Sequence, residues 1–278
     1  MTDSSRDGTR TFAVVGPGRA GSAIGIALVA RGWQVTRVAG RARDAESVVA
    51  AARRFGAEPV ATREVGAGAG LVVIATPDTV VPRVAADAAA ALEPGALVIH
   101  LSGALGVEAL APLADLRPDV LIGALHPLQT LPSPEAGAAR LAGSWAAVAG
   151  PPAVAELAEE LDLLPFTVAA PDRAAYHAAA TVAANHLVAL LGQVERIAAT
   201  AGVPLAAFEP LVRATVDNAF AIGPERALTG PVARGDVETV LRHLDAIAAD
   251  EQRAYRALAE AATRLSGADA EAVRSLLG

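Results

Sequence analysis

The chain has no cysteine and no lysine. Without cysteine there is no disulfide, no thiol nucleophile and no zinc–thiolate site. Without lysine all 23 basic residues are arginine, which excludes Schiff-base chemistry and a lysine proton donor. Aromatic residues are 3% of the chain, and the net charge of −7 comes with no basic block. Neither stacking platforms nor an electrostatic footprint for nucleic acid is present, so we expect no such partner. No uninterrupted apolar run reaches the ~18 residues of a membrane-spanning helix, because Arg, Asp, His or Gln cuts each candidate, and we expect no membrane partner either. The opening MTDSSRDGTR is polar and lacks the apolar stretch of a signal peptide, which reads as a tail and a cytoplasmic location.

What remains is rich in alanine, glycine, valine and arginine. Hydrophobic residues are 53% of 278, enough to bury a sizeable core in one large domain or two ordinary ones. Short apolar runs at 11–15, 34–39, 71–75, 96–101, 120–125 and 145–149, with a weaker one at 166–169, read as buried strands. Amphipathic segments separate them; Val154, Leu157, Ala158 and Leu161 follow the i, i+3, i+4, i+7 pattern. The alternation predicts an α/β fold, a doubly wound Rossmann parallel sheet covered on both faces. Beyond Ala170 strand signals vanish. One long helix is expected over 173–201, with others near 205–221, 236–249, 251–266 and 269–277. The expected organisation is a dinucleotide-binding domain over 1–170 and an all-α domain over 171–278.

The strongest signal is GPGRAG. Gly16, Gly18 and Gly21 form G-x-G-x-x-G between an apolar strand and an amphipathic helix. Gly16 permits the tight turn, Gly18 lets backbone approach a pyrophosphate, and Gly21 lets helix pack on strand. Pro17, Arg19 and Ala20 complete the turn, and the helix N-terminus faces the phosphates. An NAD site wants an acid about 20 residues on. Here Gly40 is followed by Arg41 and Arg43, which suit the 2′-phosphate of NADP; the alternative is that both are solvated surface charges. Ligands in such sheets sit at the carboxyl ends of strands. Ala75-Thr76-Pro77-Asp78, His100-Leu101-Ser102-Gly103-Ala104 and His126-Pro127-Leu128-Gln129-Thr130 end three of them. Turn chemistry, a helix cap and a structural histidine are the competing explanations.

The segment AYHAAATVAANHL, residues 175–187, interrupts alanine with His177, Thr181 and Asn185 at intervals of four, one stripe of a helix. His186 falls on another face and reads as structural, and His243 as surface. A polar seam between helices would use the same stripe. In LTGPVARGD, 228–236, Gly230 and Pro231 end a helix and Asp236 caps the next, while Arg234 is a candidate clamp for a substrate carboxylate.

With GPGRAG, IATPD, HLSGA, ALHPLQT, YHAAATVAANH and LTGPVARGD in hand, the chain resembles a family of Rossmann-like proteins with a helical C-terminal domain of unknown function. That family is grouped with deazaflavin-coenzyme-dependent NADP reductases. More distantly it is similar to pyrroline-5-carboxylate reductases, ketopantoate reductases and β-hydroxyacid dehydrogenases. The resemblance implies an NADP(H) cofactor, a small oxo acid (ketopantoate in some members) or cyclic imine as substrate, and a homodimer whose helical domains pack together. The hydroxyacid and ketopantoate enzymes carry a lysine four residues before an asparagine on the interdomain helix. Here Thr181 precedes Asn185, and His177 is the natural replacement as general acid, since free imidazole titrates near ~6.5. Thr181, Asn185 and Ser102 would supply hydrogen bonds, with Gly103 and His126 near the substrate. The expected function is an NADPH-dependent oxidoreductase; the alternative is a non-catalytic NADP-binding sensor or scaffold dimer.

Overall fold

The computed structural model describes residues 10–266 and 271–277. The expected tail over 1–9 and the first residues of the expected last helix lie outside the described residues. The chain forms two compact units that divide between Val182 and Ala183. The division therefore falls inside the long helix and not near Pro171, because the first turns of that helix pack on the sheet of the first unit.

The first unit runs β1 (Thr11–Val15), α1 (Arg19–Val29), β2 (Gln34–Ala39), α2 (Glu46–Phe55), β3 (Glu58–Val60), β4 (Leu71–Ile74), α3 (Val81–Ala88), β5 (Leu97–His100), α4 (Ala111–Leu116), β6 (Leu121–Pro127), α5 (Pro134–Ala139), β7 (Trp145–Ala149), α6 (Pro152–Glu160), β8 (Leu164–Thr167) and α7 (Arg173–Thr181). Among the described residues the strands form one sheet of eight, in the order β3-β2-β1-β4-β5-β6-β7-β8. The chain steps outward from β1 to β3, then crosses to β4 on the other side of β1. This makes the β1/β4 boundary the switch point of a doubly wound sheet.

Alternation builds the core. Phe12 and Val14 of β1 join one buried layer with Ile24 and Leu28 of α1, while Ala13 and Val15 join the opposite layer with Val81 and Ala85 of α3. Successive side chains of a strand point to opposite faces, so both faces of β1 are covered by helices.

Two features differ from the expectation. Strand β3 contains Pro59 and is only three residues long, too short and too proline-disrupted to read as a strand; it sits at the sheet edge, where a missing N–H is tolerated. Strand β7 runs antiparallel to β6, with Ala124 opposite Ala149 and His126 opposite Ala147. The connection between them carries α5 onto α1, where a Cβ on Gly137 would stand 2.9 Å from the Ala23 Cβ. No crossover helix spans the sheet there, and a strand that returns without one enters in the opposite direction.

The second unit is helical: α8 (Leu187–Thr200), α9 (Glu209–Ile222), α10 (Pro224–Ala227), α11 (Val237–Ala246), α12 (Ala249–Thr263) and α13 (Glu271–Leu277). Its core centres on Val240, Leu244 and Val273. Asp236 caps α11 as expected, accepting the Thr239 N–H at 3.0 Å. Between α7 and α8 the residues Val182–His186 form a π-helical turn. The stretch Ala170–Thr200 is, by length and composition, a helix able to cross a membrane, which corrects the expectation that no segment qualifies. Alanine supplies the hydropathy, and Arg173, Tyr176 and His177 of its first turns pack against the sheet.

Candidate active site

At the mouth of the switch point the three glycines have separate jobs. Gly16 has φ +81°, and a Cβ there would stand 2.7 Å from the Ala75 carbonyl oxygen. A Cβ on Gly21 would stand 2.6 Å from Gly16 O and 2.9 Å from the Ala75 Cβ. At Gly18 nothing lies within 4 Å. Gly18 is the N-cap of α1 and provides no side-chain cap, so the first N–H groups of the helix stand open. Pro17 is buried and its carbonyl accepts the Ser22 hydroxyl at 3.0 Å; Arg19 is exposed and Ala20 half-buried. Just beyond β2, Arg41 and Arg43 are exposed and form no ion pair among the described residues. Arg37, by contrast, donates to Ala67 O at 2.6 Å and is spoken for. Ala75 and Thr76 are half-buried and Pro77 is exposed, and Thr76 Oγ1 is buried with no hydrogen-bond partner.

The neighbouring strand ends carry a histidine cluster. His100 closes β5, fully buried. Its Nδ1 accepts the Ser102 N–H at 3.2 Å, so Nε2 carries the proton and donates to Gly106 O at 2.9 Å. Burial lowers its pKa, and the ring is a neutral brace for the loop that follows. In that loop the Ser102 hydroxyl accepts the Ala104 and Leu105 N–H groups at 3.2 and 3.0 Å, the capping role that competed with a ligand role. Gly103 lies between two rings. A Cβ there would stand 2.7 Å from His126 Cε1 and 2.7 Å from His177 Cδ2.

Tyr176 and His126 share a hydrogen bond of 2.7 Å. His126 also meets His177 edge to face, with centroids 5.9 Å apart. A line of such contacts runs from Trp145 through Phe166 and Tyr176 to His126, at 5.9, 5.7 and 5.6 Å. In a chain this poor in aromatics, the line braces α7 against β6, β7 and β8. Burial first, then the charges of His177 and Arg173, depress the His126 pKa to about 4, so it is neutral at pH 7. Burial also raises the Tyr176 pKa, which keeps its hydroxyl protonated.

Arg173 lies under this cluster, 2% exposed. One nitrogen, Nη2, donates to Ser102 O at 3.2 Å, while Nε and Nη1 are buried without partners. Each unpaired buried donor costs about 1–3 kcal/mol, more than a surface ion pair of about 0–1 kcal/mol returns.

The structure thus gathers Ser102, Gly103, His126 and His177 in one place, in the same unit as the glycine turn. Thr181 donates its hydroxyl back to His177 O at 3.0 Å. Asn185 is exposed and sits inside the π turn. There the i→i+5 register replaces i→i+4, so the regular stripe of His177, Thr181 and Asn185 ends at Thr181. Arg234 and His186 are exposed residues of the second unit; the exposed His243 bonds the Tyr255 hydroxyl at 2.8 Å. His100 is the first residue of an expected strand-end turn; Arg173 and Tyr176 were not expected at the site, and the i, i+3, i+4 spacing of Arg173, Tyr176 and His177 carried their signal.

Residues 3–127 match a Rossmann-like domain family, and residues 146–262 match a domain of unknown function, DUF2520. The two matches follow one another along the chain. The glycine turn, His100, Ser102, Gly103 and His126 fall in the Rossmann-like match; Arg173, Tyr176 and His177 fall in the DUF2520 match. Among solved structures, the chain is similar to a candidate NADP oxidoreductase from Bacteroides fragilis, 20% identical with a TM-score of 0.76, covering 92% of this chain and 98% of that one. A Thermotoga maritima protein is 24% identical, TM-score 0.68, with coverage of 92% and 98%. A Plasmodium falciparum pyrroline carboxylate reductase solved with NADP bound is 10% identical, TM-score 0.57, with coverage of 95% and 100%. These likenesses establish a shared fold. No curated protein matches the chain.

Proposed function

We propose that the protein is an NADPH-dependent oxidoreductase that reduces a small oxo acid or cyclic imine. The observation that carries the reading is the presence, within one unit, of a dinucleotide turn and a half-buried His126–His177–Tyr176 cluster at the carboxyl ends of strands of one sheet. The residues present fit the cofactor. The open Gly18 backbone and the first N–H groups of α1 suit a pyrophosphate, Thr76 Oγ1 has no partner, and Arg41 and Arg43 are free for a 2′-phosphate. Fold neighbours that are named as NADP oxidoreductases, or that hold NADP, support this choice. Bound there, NADPH supplies a hydride to a carbonyl or imine carbon.

His177 donates the proton to the oxygen or nitrogen that gains charge, and the product leaves as an alcohol or amine. His126, neutral at pH 7, orients and does not supply that proton. Tyr176 fixes the His126 ring, and His100 and Ser102 fix the loop that brings Gly103 against both imidazoles. Gly103 has to be side-chain-free for that approach. Thr181 retains a lone pair for a ligand, and Asn185 and Arg234 remain candidate substrate contacts.

In assembly, the reading is a two-fold homodimer through the helical unit. It is supported by apolar side chains there that face solvent, with Phe220 90%, Val188 70% and Leu211 64% exposed. Light scattering of a monomer at micromolar concentration would refute it.

The deciding experiment follows NADPH oxidation over a panel of 2-oxo acids and cyclic imines. We expect substrate-dependent oxidation by at least one member. The second reading, a non-catalytic NADP-binding sensor or scaffold, is favoured by the absence of lysine. It predicts NADPH binding with no oxidation by any member of the panel.

A further inference from the structure

A buried arginine without a counter-ion is the least explained charge in the first unit. Arg173 is 2% exposed, yet among the described residues no carboxylate forms an ion pair with it. Glu108 acts on it electrostatically, but Glu108 Oε1 accepts the Gly106 N–H at 3.1 Å. Asp78 acts on His100 and His126 and likewise makes no ion pair with Arg173. Of the five guanidinium hydrogens, one goes to the Ser102 carbonyl. Nε and Nη1 are left without partners, and Ser102 takes only one of the two Nη2 hydrogens, so the other Nη2 hydrogen forms, with Nε or with Nη1, an edge of two parallel donors. Two parallel donors on one edge are the complement of a carboxylate.

The position of this edge ties it to the reacting cluster. Arg173, Tyr176 and His177 occupy one face of α7, at i, i+3 and i+4. The backbone that Arg173 holds, at Ser102, is the backbone that brings Gly103 within contact of His126 and His177. An anion on Arg173 would therefore lie beside the two imidazoles, in the same half of the strand-end cleft.

We infer that Arg173 anchors a carboxylate of the small molecule that this site takes, so that the substrates are carboxylate-bearing carbonyls or imines and not neutral ones. The inference rests on the reductase reading only for the word substrate; the anion site stands on the arginine itself. Binding an anion there does two things. It neutralises a buried cation whose donors are otherwise unmet, and it fixes one end of a short molecule while its carbonyl or imine group reaches His177.

The test is binding of carboxylates that the protein cannot reduce. Isothermal calorimetry would titrate oxamate and malonate, with acetamide and malonamide as neutral counterparts, into the full-length protein with and without NADPH. We expect each carboxylate to bind at least about tenfold more tightly than its neutral counterpart. Arg173→Met should lose that preference, and Arg173→Lys, which keeps the charge but not the planar edge, should recover part of it. Because Arg173→Met removes a buried residue, its melting curve is taken in parallel. If it does not fold, the carboxylate preference of the unmodified protein and the Arg173→Lys affinity decide the question.

Equal binding of charged and neutral probes, no saturable binding of either carboxylate, or carboxylate affinity unchanged in a folded Arg173→Met protein each overturns the inference. So does a loss confined to NADPH affinity, which would assign Arg173 to a cofactor phosphate. Carboxylate binding through Arg173 in a protein that oxidises NADPH with no member of the substrate panel would sink the reductase reading and leave the anion site intact.

Discussion

The Tyr176 hydroxyl and His126 Nδ1 stand 2.7 Å apart, and their rings meet edge to face with centroids 5.6 Å apart. This one contact ties the first turns of α7 to the end of β6. It also fixes the ring that packs against His177. The two groups titrate away from neutrality in opposite directions: burial holds His126 down to about 4 and holds Tyr176 up. Both partners are therefore uncharged through the neutral range, and the bond between them does not depend on pH there.

Stability, however, does depend on pH through His126. Its folded pKa of about 4 lies below the ordinary imidazole value of 6.5. Between those values the unfolded chain binds the proton and the folded chain does not. Stability is thus full above pH ~6.5 and falls as the solution is acidified toward ~4. His100, also depressed by burial, acts in the same direction. Chemical denaturation at a series of pH values should show this slope, and His126→Gln should flatten it. A slope of the same size in the folded variant would remove His126 as its source.

The glycine turn separates fold from ligand. Gly18→Ala places a methyl group where nothing lies within 4 Å. Gly18 has φ −74°, which alanine accepts, so the melting temperature should hold or rise slightly. NADPH affinity should drop at least about tenfold, because the methyl stands where backbone and pyrophosphate meet. Gly16→Ala should lower both, since φ is +81° and the Cβ would meet Ala75 O at 2.7 Å. Identical NADPH affinity in Gly18→Ala would place the pyrophosphate elsewhere.

Cofactor choice rests on Arg41 and Arg43, both exposed and without ion pairs among the described residues. NADPH should bind at least about tenfold more tightly than NADH, or about 1.4 kcal/mol. Arg41→Glu should erase the difference without changing the melting temperature, as the side chain packs against nothing in particular. Fluorescence titration with both cofactors measures this, and equal affinities in the unmodified protein would contradict the NADP assignment.

His177→Ala should leave NADPH affinity close to intact while turnover falls by roughly 10²–10⁴, the usual worth of a general acid. Asn185→Ala should raise KM with a smaller loss in kcat, as befits an orienting group. If His177 is instead only a packing residue on Gly103, the alanine variant should melt lower while activity per folded molecule stays the same. Both quantities, measured on one preparation, separate these outcomes.

Much of this architecture was legible in the residues. A strand is recognisable when both its faces are buried, and β1, β4, β5 and β7 announce themselves as short apolar runs. The glycines at 16, 18 and 21 need no tertiary context either, because a tight turn and a close helix approach are local demands. The arginines after β2 likewise follow from a fixed distance along the chain. Long-range order was less legible: the antiparallel entry of β7 depends on where α5 docks, and that is decided by Gly137 against Ala23, 114 residues apart in sequence.

The sequence by itself determined the doubly wound sheet, the glycine turn, the change to helix after β8 and the presence of His177 on that helix, because each is written in local periodicity. Only the tertiary structure decided which polar residues share a site. His100 reads as the start of a strand-end turn at the crevice; only the fold of Ser102 and Gly106 around its ring makes it a buried brace. Arg173, at a helix start, carries no burial signal in its own element; the loop after β5 covers it. Asn185 reads as the next step of an α-helical stripe until a π turn changes the register beneath it. Periodicity reports the environment that a residue's own element dictates; burial by a partner far along the chain, and a one-residue change of helical register, arise from packing that no local pattern encodes.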